Sequence, residues 1–199
     1  MLIAVAVLLG LLAACALGGD PSRLADLRFR GTRLVFAALA VQLAVFTPWS
    51  PTLPDAAQVS LHLASYALLL VFLALNIRLP GLWVAAAGFS CNFLVIAANG
   101  GRMPVSPGAW SASVGTAPSS AGVIQDNVAL AGSDTRLSWL GDILPVPVHP
   151  VANALSIGDL LLIVGITAFV YRACRPEPPA RAARPDLHAP ASSLGERNS

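Results

Sequence analysis

The sequence contains no lysine, and all twelve of its positive charges are arginines. This excludes a Schiff-base lysine, a Ser-Lys dyad and the lysine of a phosphate-binding P-loop. Charged residues of either sign are scarce, at 11% of the chain against about a quarter in soluble domains. The net charge of +2 is too small to indicate nucleic-acid binding. With 56% hydrophobic residues, the composition is instead typical of a chain that crosses a bilayer several times.

Cysteine and catalytic motifs are also scarce. Cys15 and Cys91 lie inside apolar stretches and Cys174 follows the last one, so we expect no disulfide. There is no Gly-x-Ser-x-Gly nucleophile motif and no His-Glu-x-x-His zinc motif. The sequence therefore gives no catalytic residue, no metal site and no cofactor, although an enzyme is not excluded.

Five apolar stretches approach the ~20 residues that a transmembrane helix needs. They are Met1 to Leu17, Leu34 to Trp49, Val59 to Ile77, Leu82 to Ala98 and Ser156 to Tyr171. The predicted fold is an all-α polytopic bundle with five spans, formed by residues 1–172, with a long and partly irregular outer loop over about 99–155. Residues 173–199, rich in Pro, Ala and Arg, are predicted to be a disordered cytoplasmic tail.

Arginine placement predicts the orientation in a plasma membrane. Ten arginines fall on one side of a five-span arrangement and two on the other. The ten are Arg23, Arg28, Arg30, Arg33, Arg78, Arg172, Arg175, Arg181, Arg184 and Arg197, and the two are Arg102 and Arg136. Because positive residues stay in the cytoplasm, the N-terminus is predicted outside and the tail inside. Trp49 at an outer helix end and Asp55, Asp126, Asp134 and Asp142 outside agree with this.

The residues Leu12 to Cys15 have the form of a lipoprotein cleavage site. A signal peptide needs positive charge before its apolar core, and residues 1–9 have none. We therefore expect the mature chain to begin at or near Met1, without lipid on Cys15.

The connections have their own patterns. Residues Ser22 to Arg33 are interpreted as a positive-inside anchor; the alternative is a segment that lies on the inner membrane surface, with Leu24, Leu27 and Phe29 towards lipid. Residues 107–132 predict a flexible loop. The apolar segment from Leu137 to Pro147 is expected to lie at the outer interface or to fold back on the bundle. Asn99-Gly100-Gly101 is a helix-stop signal, and Ser156 with Asp159 resembles a capping box.

These motifs together resemble an uncharacterised family of bacterial membrane proteins, catalogued as a domain of unknown function. The resemblance covers roughly residues 1–172. The residues that carry it are Asn99-Gly100-Gly101-Arg102-Met103-Pro104-Val105, Leu140-Gly141-Asp142, Ser156-Ile157-Gly158-Asp159, Leu24-Ala25-Asp26-Leu27-Arg28 and Arg78-Leu79-Pro80-Gly81-Leu82-Trp83. It implies a multi-pass membrane protein, and it implies no activity, substrate or catalytic residue.

Polar residues within apolar helices need a reason, because lipid offers them no hydrogen bonds. For Gln42 and Asn92 we expect helix–helix hydrogen bonds. The remaining candidates form a predicted outer-face cluster, in which Arg102 is expected to pair with Asp142 or Asp159 and His149 lies nearby. Its members are His62, Asn99, Gly100, Gly101, Arg102, Asp142 and Asp159. The cluster either pins the outer loop to the bundle or binds a small polar ligand or a lipid headgroup. A metal held by His62 and His149 is a weaker possibility.

The sequence is compatible with three functions. The first is a non-enzymatic accessory or assembly component that contacts another membrane protein or a second copy of itself. The second is a small-solute or ion permease working as an oligomer, which needs polar groups through the whole bilayer. The third is a membrane enzyme with its site at the outer face, which needs His149 or Asp142 to have a strongly shifted pKa in a pocket.

Overall fold

A computed structural model of the chain describes residues 2–46, 53–115, 123–125, 127–147 and 153–175. Trp49, Asp126, His149 and the predicted tail from residue 176 onward lie outside these residues. The helices are α1 (Leu2–Ala16), α2 (Thr32–Phe46), α3 (Asp55–Leu75), α4 (Leu82–Ala98), α5 (Pro107–Val114) and α6 (Ile157–Ala173). The strands are β1 (Met103–Val105), β2 (Val123–Gln125), β3 (Val128–Leu130), β4 (Leu144–Val146) and β5 (Asn153–Leu155). Two short 3₁₀ helices span Pro21–Asp26 and Ser138–Leu140.

The fold is mainly helical, as predicted, and each of the five apolar stretches forms a helix. Among the described residues, α3 alone combines the length and the apolar composition of a membrane span. Helices α1, α2 and α4 contain shorter apolar segments, over Ala4–Ala16, Thr32–Val45 and Leu82–Ala98. By length and composition, the structure therefore provides one candidate span.

Helix α6 lies between α1 and α4, and small residues allow the close approach. A Cβ placed on Gly88 of α4 would lie 2.8 Å from Cβ of Leu161, and one on Gly165 of α6 would lie 2.8 Å from Cα of Ala85. On the other side of α6, a Cβ on Gly10 of α1 would lie 2.7 Å from Cβ of Val170. Helices α2 and α3 form a second packed group, which α3 joins to α4.

The segment between α4 and α6 forms a small cap over the bundle. Strand β1 pairs in parallel with β3, β2 pairs with β3 in the antiparallel sense, and β4 pairs with β5. Ser113 of α5 holds β4 and β5 through its Oγ, which donates to Asn153 O at 2.8 Å and accepts from Val146 N at 3.2 Å. The prediction of a flexible loop over residues 107–132 is thus wrong for α5 and the strands. We call this side of the molecule the capped end.

At the opposite end, the connection between α1 and α2 packs against the bundle. Leu24, Leu27 and Phe29 contact the buried cluster that contains Leu82 and Phe169. The alternative in which these three side chains face lipid is therefore wrong, because they find apolar partners on the helix ends. We call this side the arginine-rich end, since it carries Arg23, Arg28, Arg30, Arg33, Arg78, Arg172 and Arg175.

Candidate functional site

Three side chains at the capped end form a closed hydrogen-bonded network between α4 and α6. Asn92 Nδ2 donates to Asp159 Oδ1 at 2.8 Å, and Ser156 Oγ donates to Asn92 Oδ1 at 2.9 Å. Ser156 is fully buried and Asn92 is 7% exposed. Each group therefore meets a partner of the right polarity away from water, as buried polar groups must.

The start of α6 supplies two members of this network through its local sequence. Asp159 N donates to Ser156 Oγ at 2.9 Å, and Ser156 N donates to Asp159 Oδ2 at 3.0 Å. This is the capping box that the spacing of the two residues predicts, and it is confirmed. The Asp159 carboxylate also lies at the positive end of the helix dipole. The prediction that Asn92 forms hydrogen bonds between helices is confirmed, because it bonds to Ser156 and Asp159.

A second carboxyl group, that of Asp142, lies half-buried near Asp159. Its backbone is fixed, because Asp142 N donates to Pro104 O at 2.9 Å and Ser106 N donates to Asp142 O at 3.0 Å. Burial, and then the negative charge of Asp159, raise the pKa of Asp142 from 3.8 to about 7. A carboxyl group that keeps its proton close to neutral pH can act as an acid or a base, so Asp142 is the chemically distinctive group of this end.

Aromatic rings of α3 border this region. The His62 ring lies edge-on to the Tyr66 ring, with centroids 5.0 Å apart, and Tyr66 stacks on Phe89 of α4 at 4.8 Å. His62 is 4% exposed. The predicted members His62, Asp142 and Asp159 thus lie around the junction of α3, α4 and α6. Tyr66 was not predicted, since a tyrosine on an apolar helix gives no distinctive sequence signal, and Ser156 was predicted only as the cap of α6.

The Asn99-Gly100-Gly101 turn ends α4 and belongs to a separate group. Gly100 and Gly101 have φ of 69° and 84°, left-handed values that favour glycine. Asn99 Nδ2 donates to Val95 O at 2.7 Å and to Arg136 O at 2.8 Å, while Arg136 N donates to Asn99 Oδ1 at 2.9 Å. The turn thereby ends the helix and holds the loop around residue 136.

Arg102 pairs with Asp55, and the prediction that it pairs with Asp142 or Asp159 is wrong. Arg102 Nη2 lies 2.6 Å from Asp55 Oδ1. Gly101 packs on Val59, one turn into α3, so the residue that follows it meets the start of that helix. Asp159 is already occupied by its capping box and by Asn92.

A polar crevice of about 310 Å³ opens beside this ion pair. Its walls include Asn99, Arg102, Pro104, Leu130, Asp134 and Thr135. The Arg102 side chain is 25% exposed, and its Nε is buried and has no hydrogen-bond partner among the described residues. The volume is at the lower end of the range for small-molecule sites, roughly 300–1,000 Å³.

The predicted outer-face cluster therefore divides into two parts. Asp159 bonds to Asn92, with Asp142 near Asp159 and His62 against Tyr66. Asn99 and Arg102 instead line the crevice, Gly100 and Gly101 form the turn between them, and Asp55 pairs with Arg102. Within the described residues, no three His, Cys, Asp or Glu side chains are placed to hold a metal ion together. His149, the second residue considered for a metal, lies outside those residues.

Comparison with known proteins identifies the family. The family of unknown function DUF5317 matches residues 26–171, and the chain belongs to this family. This confirms the resemblance to an uncharacterised family. No curated protein and no solved structure matches the chain.

Proposed function

We propose that this protein is an integral membrane protein with five spans, formed by α1, α2, α3, α4 and α6. The observation that carries the proposal is the large apolar side chains that these helices leave uncovered. Examples are Leu8 at 56% exposed, Phe36 at 67%, Trp83 at 64% and Val164 at 58%. In lipid these side chains face an apolar solvent, whereas in water they would form large apolar patches.

Helix length and internal polarity support the same proposal. Helix α3 has 21 residues, and only 11% of its apolar segment is buried inside the fold, whereas the core helix of a soluble protein is mostly buried. The other four helices have 15 to 17 residues, or about 22–26 Å of rise, so flanking residues or a locally thinned bilayer must cover the rest of roughly 30 Å. Between α2 and α3, Gln42 Nε2 donates to Ser65 Oγ at 3.0 Å, which gives both groups a partner within the bundle.

The proposed orientation places the capped end outside and the arginine-rich end in the cytoplasm. Seven described arginines lie at the arginine-rich end and only Arg102 and Arg136 at the capped end. A reporter enzyme that is active only outside the cytoplasm should be active when fused after Gly108 and silent when fused after Arg175. A reporter that fluoresces only in the cytoplasm, fused at the same two positions, should give the reverse pattern. If both reporters place the two positions on one side, or exchange them, the topology is wrong.

For the biochemical role, we propose a non-enzymatic accessory or assembly component. This proposal is supported by the five polar side chains of the capped end that bind one another. The network of Asn92, Ser156 and Asp159 joins α4 to α6, and the Arg102–Asp55 pair joins the cap to α3. Such contacts brace the fold and leave the apolar outer surface as the part that meets other membrane components.

Purification from membranes of the native host in mild detergent, followed by native mass spectrometry, tests this role. A second polypeptide at fixed stoichiometry, recovered with the tag at either terminus and absent with an unrelated five-span control, is the expected result. A protein recovered alone, with a bound small molecule or metal ion, contradicts it.

A second candidate function, a membrane enzyme or binding protein with its site at the capped end, is favoured by Asp142. The raised pKa, near neutrality, is what such a site requires of an acid–base residue. Asp142→Asn keeps the shape of the side chain and removes the titrating proton. The expected result for an enzyme or binding protein is that this variant folds but fails to replace the wild-type protein in cells, while Asp134→Asn in the same loop succeeds. That result would favour this second function over the accessory role.

A further inference from the structure

An apolar cleft of about 320 Å³ separates the two packed groups of helices. Val35 of α2 and Leu69 and Phe72 of α3 line one wall. The other wall belongs to α1, α4 and α6, and includes Phe89 and Phe169. All the residues that line the cleft are apolar, so water inside it would find no hydrogen-bond partner.

The two ends of the cleft differ. Towards the capped end its lining reaches Phe89, on which Tyr66 stacks. At the arginine-rich end, Phe29 reaches across it, with ring centroids 5.8 Å from Phe72 and 5.9 Å from Phe169. The cleft therefore extends from the middle of the bundle to the end that carries the arginines.

The residue that bridges this mouth is flanked by exposed positive charge. Arg28 and Arg30 adjoin Phe29 in the chain, and Arg33 follows within the first turn of α2. All three are exposed, and none of them forms an ion pair with a described residue. Asn76 fixes the backbone of Arg30, donating to its carbonyl at 2.8 Å and accepting from its amide at 2.9 Å. Residues 23–33 contain four arginines and one aspartate, Asp26, a net charge of +3.

We propose that this cleft holds one acyl chain of an anionic phospholipid, whose phosphate lies between Arg28 and Arg30. The apolar walls suit a hydrocarbon chain, and the flanking guanidinium groups suit a phosphate, which they can bind through paired hydrogen bonds. Basic pockets at the cytoplasmic ends of transmembrane helices recognise anionic headgroups in this way. The inference rests on the proposed membrane location, and it goes beyond the accessory role.

The test uses the full-length protein in vesicles of phosphatidylcholine, with or without a minor fraction of phosphatidylglycerol. Both lipids carry a photoreactive group at the end of one acyl chain, and the cross-linked residues are mapped by mass spectrometry. In the wild-type protein, phosphatidylglycerol should label α3 and α4 at the cleft, and unlabelled phosphatidylglycerol should compete better than phosphatidylcholine. Flotation of the vesicles first shows whether the protein is in the bilayer, so failure of the membrane proposal is seen separately.

Two pairs of variants separate the chain site from the headgroup site. Val35→Trp fills the cleft and should reduce labelling there several-fold, whereas Leu39→Trp, at an exposed position of the same helix, should not. Arg28→Gln with Arg30→Gln should lower the preference for phosphatidylglycerol by roughly tenfold. Arg172→Gln with Arg175→Gln, equal in charge and at the same end, should leave it unchanged. All variants are compared only after size-exclusion chromatography shows that they are monodisperse.

Three results would overturn the proposal. Equal cleft labelling by the two lipids in the wild-type protein would mean a chain site with no headgroup selectivity. Labelling confined to the outward faces of the helices would mean that lipid does not enter the cleft. A cross-link between two copies of the protein from a photoreactive residue at position 35 would mean that a second chain covers it. The mapping in the unaltered protein decides the first two, even if Val35→Trp fails to fold.

Discussion

The half-buried carboxyl group of Asp142 predicts that the protein loses stability as the pH rises towards neutrality. Its pKa is about 7 in the folded protein and close to 3.8 when the chain is unfolded. Below about pH 3 the group is protonated in both states and contributes no difference. Between about pH 4 and pH 7 the unfolded chain releases its proton while the folded protein keeps it, so the free energy of unfolding falls as the pH rises.

The size of the effect follows from the two pKa values. A rise of the Asp142 pKa from 3.8 to about 7 lowers the free energy of unfolding by roughly 4 kcal/mol once the group is fully ionised. Because solvent still reaches the carboxyl group, we expect a loss of roughly 2–4 kcal/mol. Asp142 cannot easily turn towards water, because its backbone amide and carbonyl are bonded to Pro104 and Ser106. Asp142→Asn removes the ionisation, so at pH 8 the variant should be more stable than the wild-type protein.

The measurement is the temperature at which half of the fluorescently tagged protein remains monodisperse in mild detergent, taken at several pH values. At pH 8, Asp142→Asn should raise this temperature by at least about 4 °C, since 1 kcal/mol shifts it by roughly 2–4 °C in a domain of this size. At pH 3, where Asp142 is protonated in the folded and the unfolded chain, the two proteins should be nearly equal. Asp134→Asn is the matched control, because Asp134 is exposed in the same loop. Equal pH profiles for the wild-type protein and Asp142→Asn would refute the reasoning.

Two further predictions use the same thermal measurement. Gly158→Ala should lower stability by roughly 1–3 kcal/mol, because the new Cβ would lie 2.7 Å from both Asn92 Cγ and the Gly88 carbonyl oxygen. Gly108→Ala is its control, with its nearest neighbour 3.7 Å away, and a loss equal to that of Gly158→Ala would contradict the packing argument. Asp55→Ala should cost at most about 1 kcal/mol, since Asp55 is 67% exposed, whereas Arg102→Ala should cost more because the Arg102 side chain is only 25% exposed. The opposite order would show that the ion pair is not a surface pair.

Local sequence signals predicted the helices and their ends. The apolar run from Leu82 to Ala98 is also the extent of α4, and Asn99 stands at its C-cap. Ser156 and Asp159 form the expected capping box at the start of α6. Each of these features depends on residues within one or two turns of each other, where chain geometry leaves few alternatives.

Contacts between distant segments could not be predicted in the same way. Asp55 and Arg102 are 47 positions apart, and their pairing depends on how the turn at Gly101 packs on α3. The error at Phe29 has a different cause, because a lipid chain and a protein core are both apolar and an apolar residue suits either. Helix α5 and the strands are eight and three residues long, too short for hydrophobic periodicity to identify them in a Ser- and Gly-rich segment.

The polar groups at the two ends of the bundle differ in whether they bind one another. Variants at one end should therefore change stability, and variants at the other end should change function. At the capped end, Asn92, Ser156 and Asp159 bind each other, so replacing one leaves its buried partners unsatisfied and destabilises the fold. At the arginine-rich end, Arg28 and Arg30 are exposed and form no ion pair with the described residues, so replacing them removes charge without disturbing a buried contact. Variants of the first kind should therefore reduce the amount of folded protein, and variants of the second kind should leave that amount unchanged and alter what the protein binds. If a variant loses function in cells in proportion to its loss of folded protein, the altered residue acts by stabilising the capped end. If function is lost while the amount of folded protein stays constant, the function depends on the arginine-rich end or on Asp142.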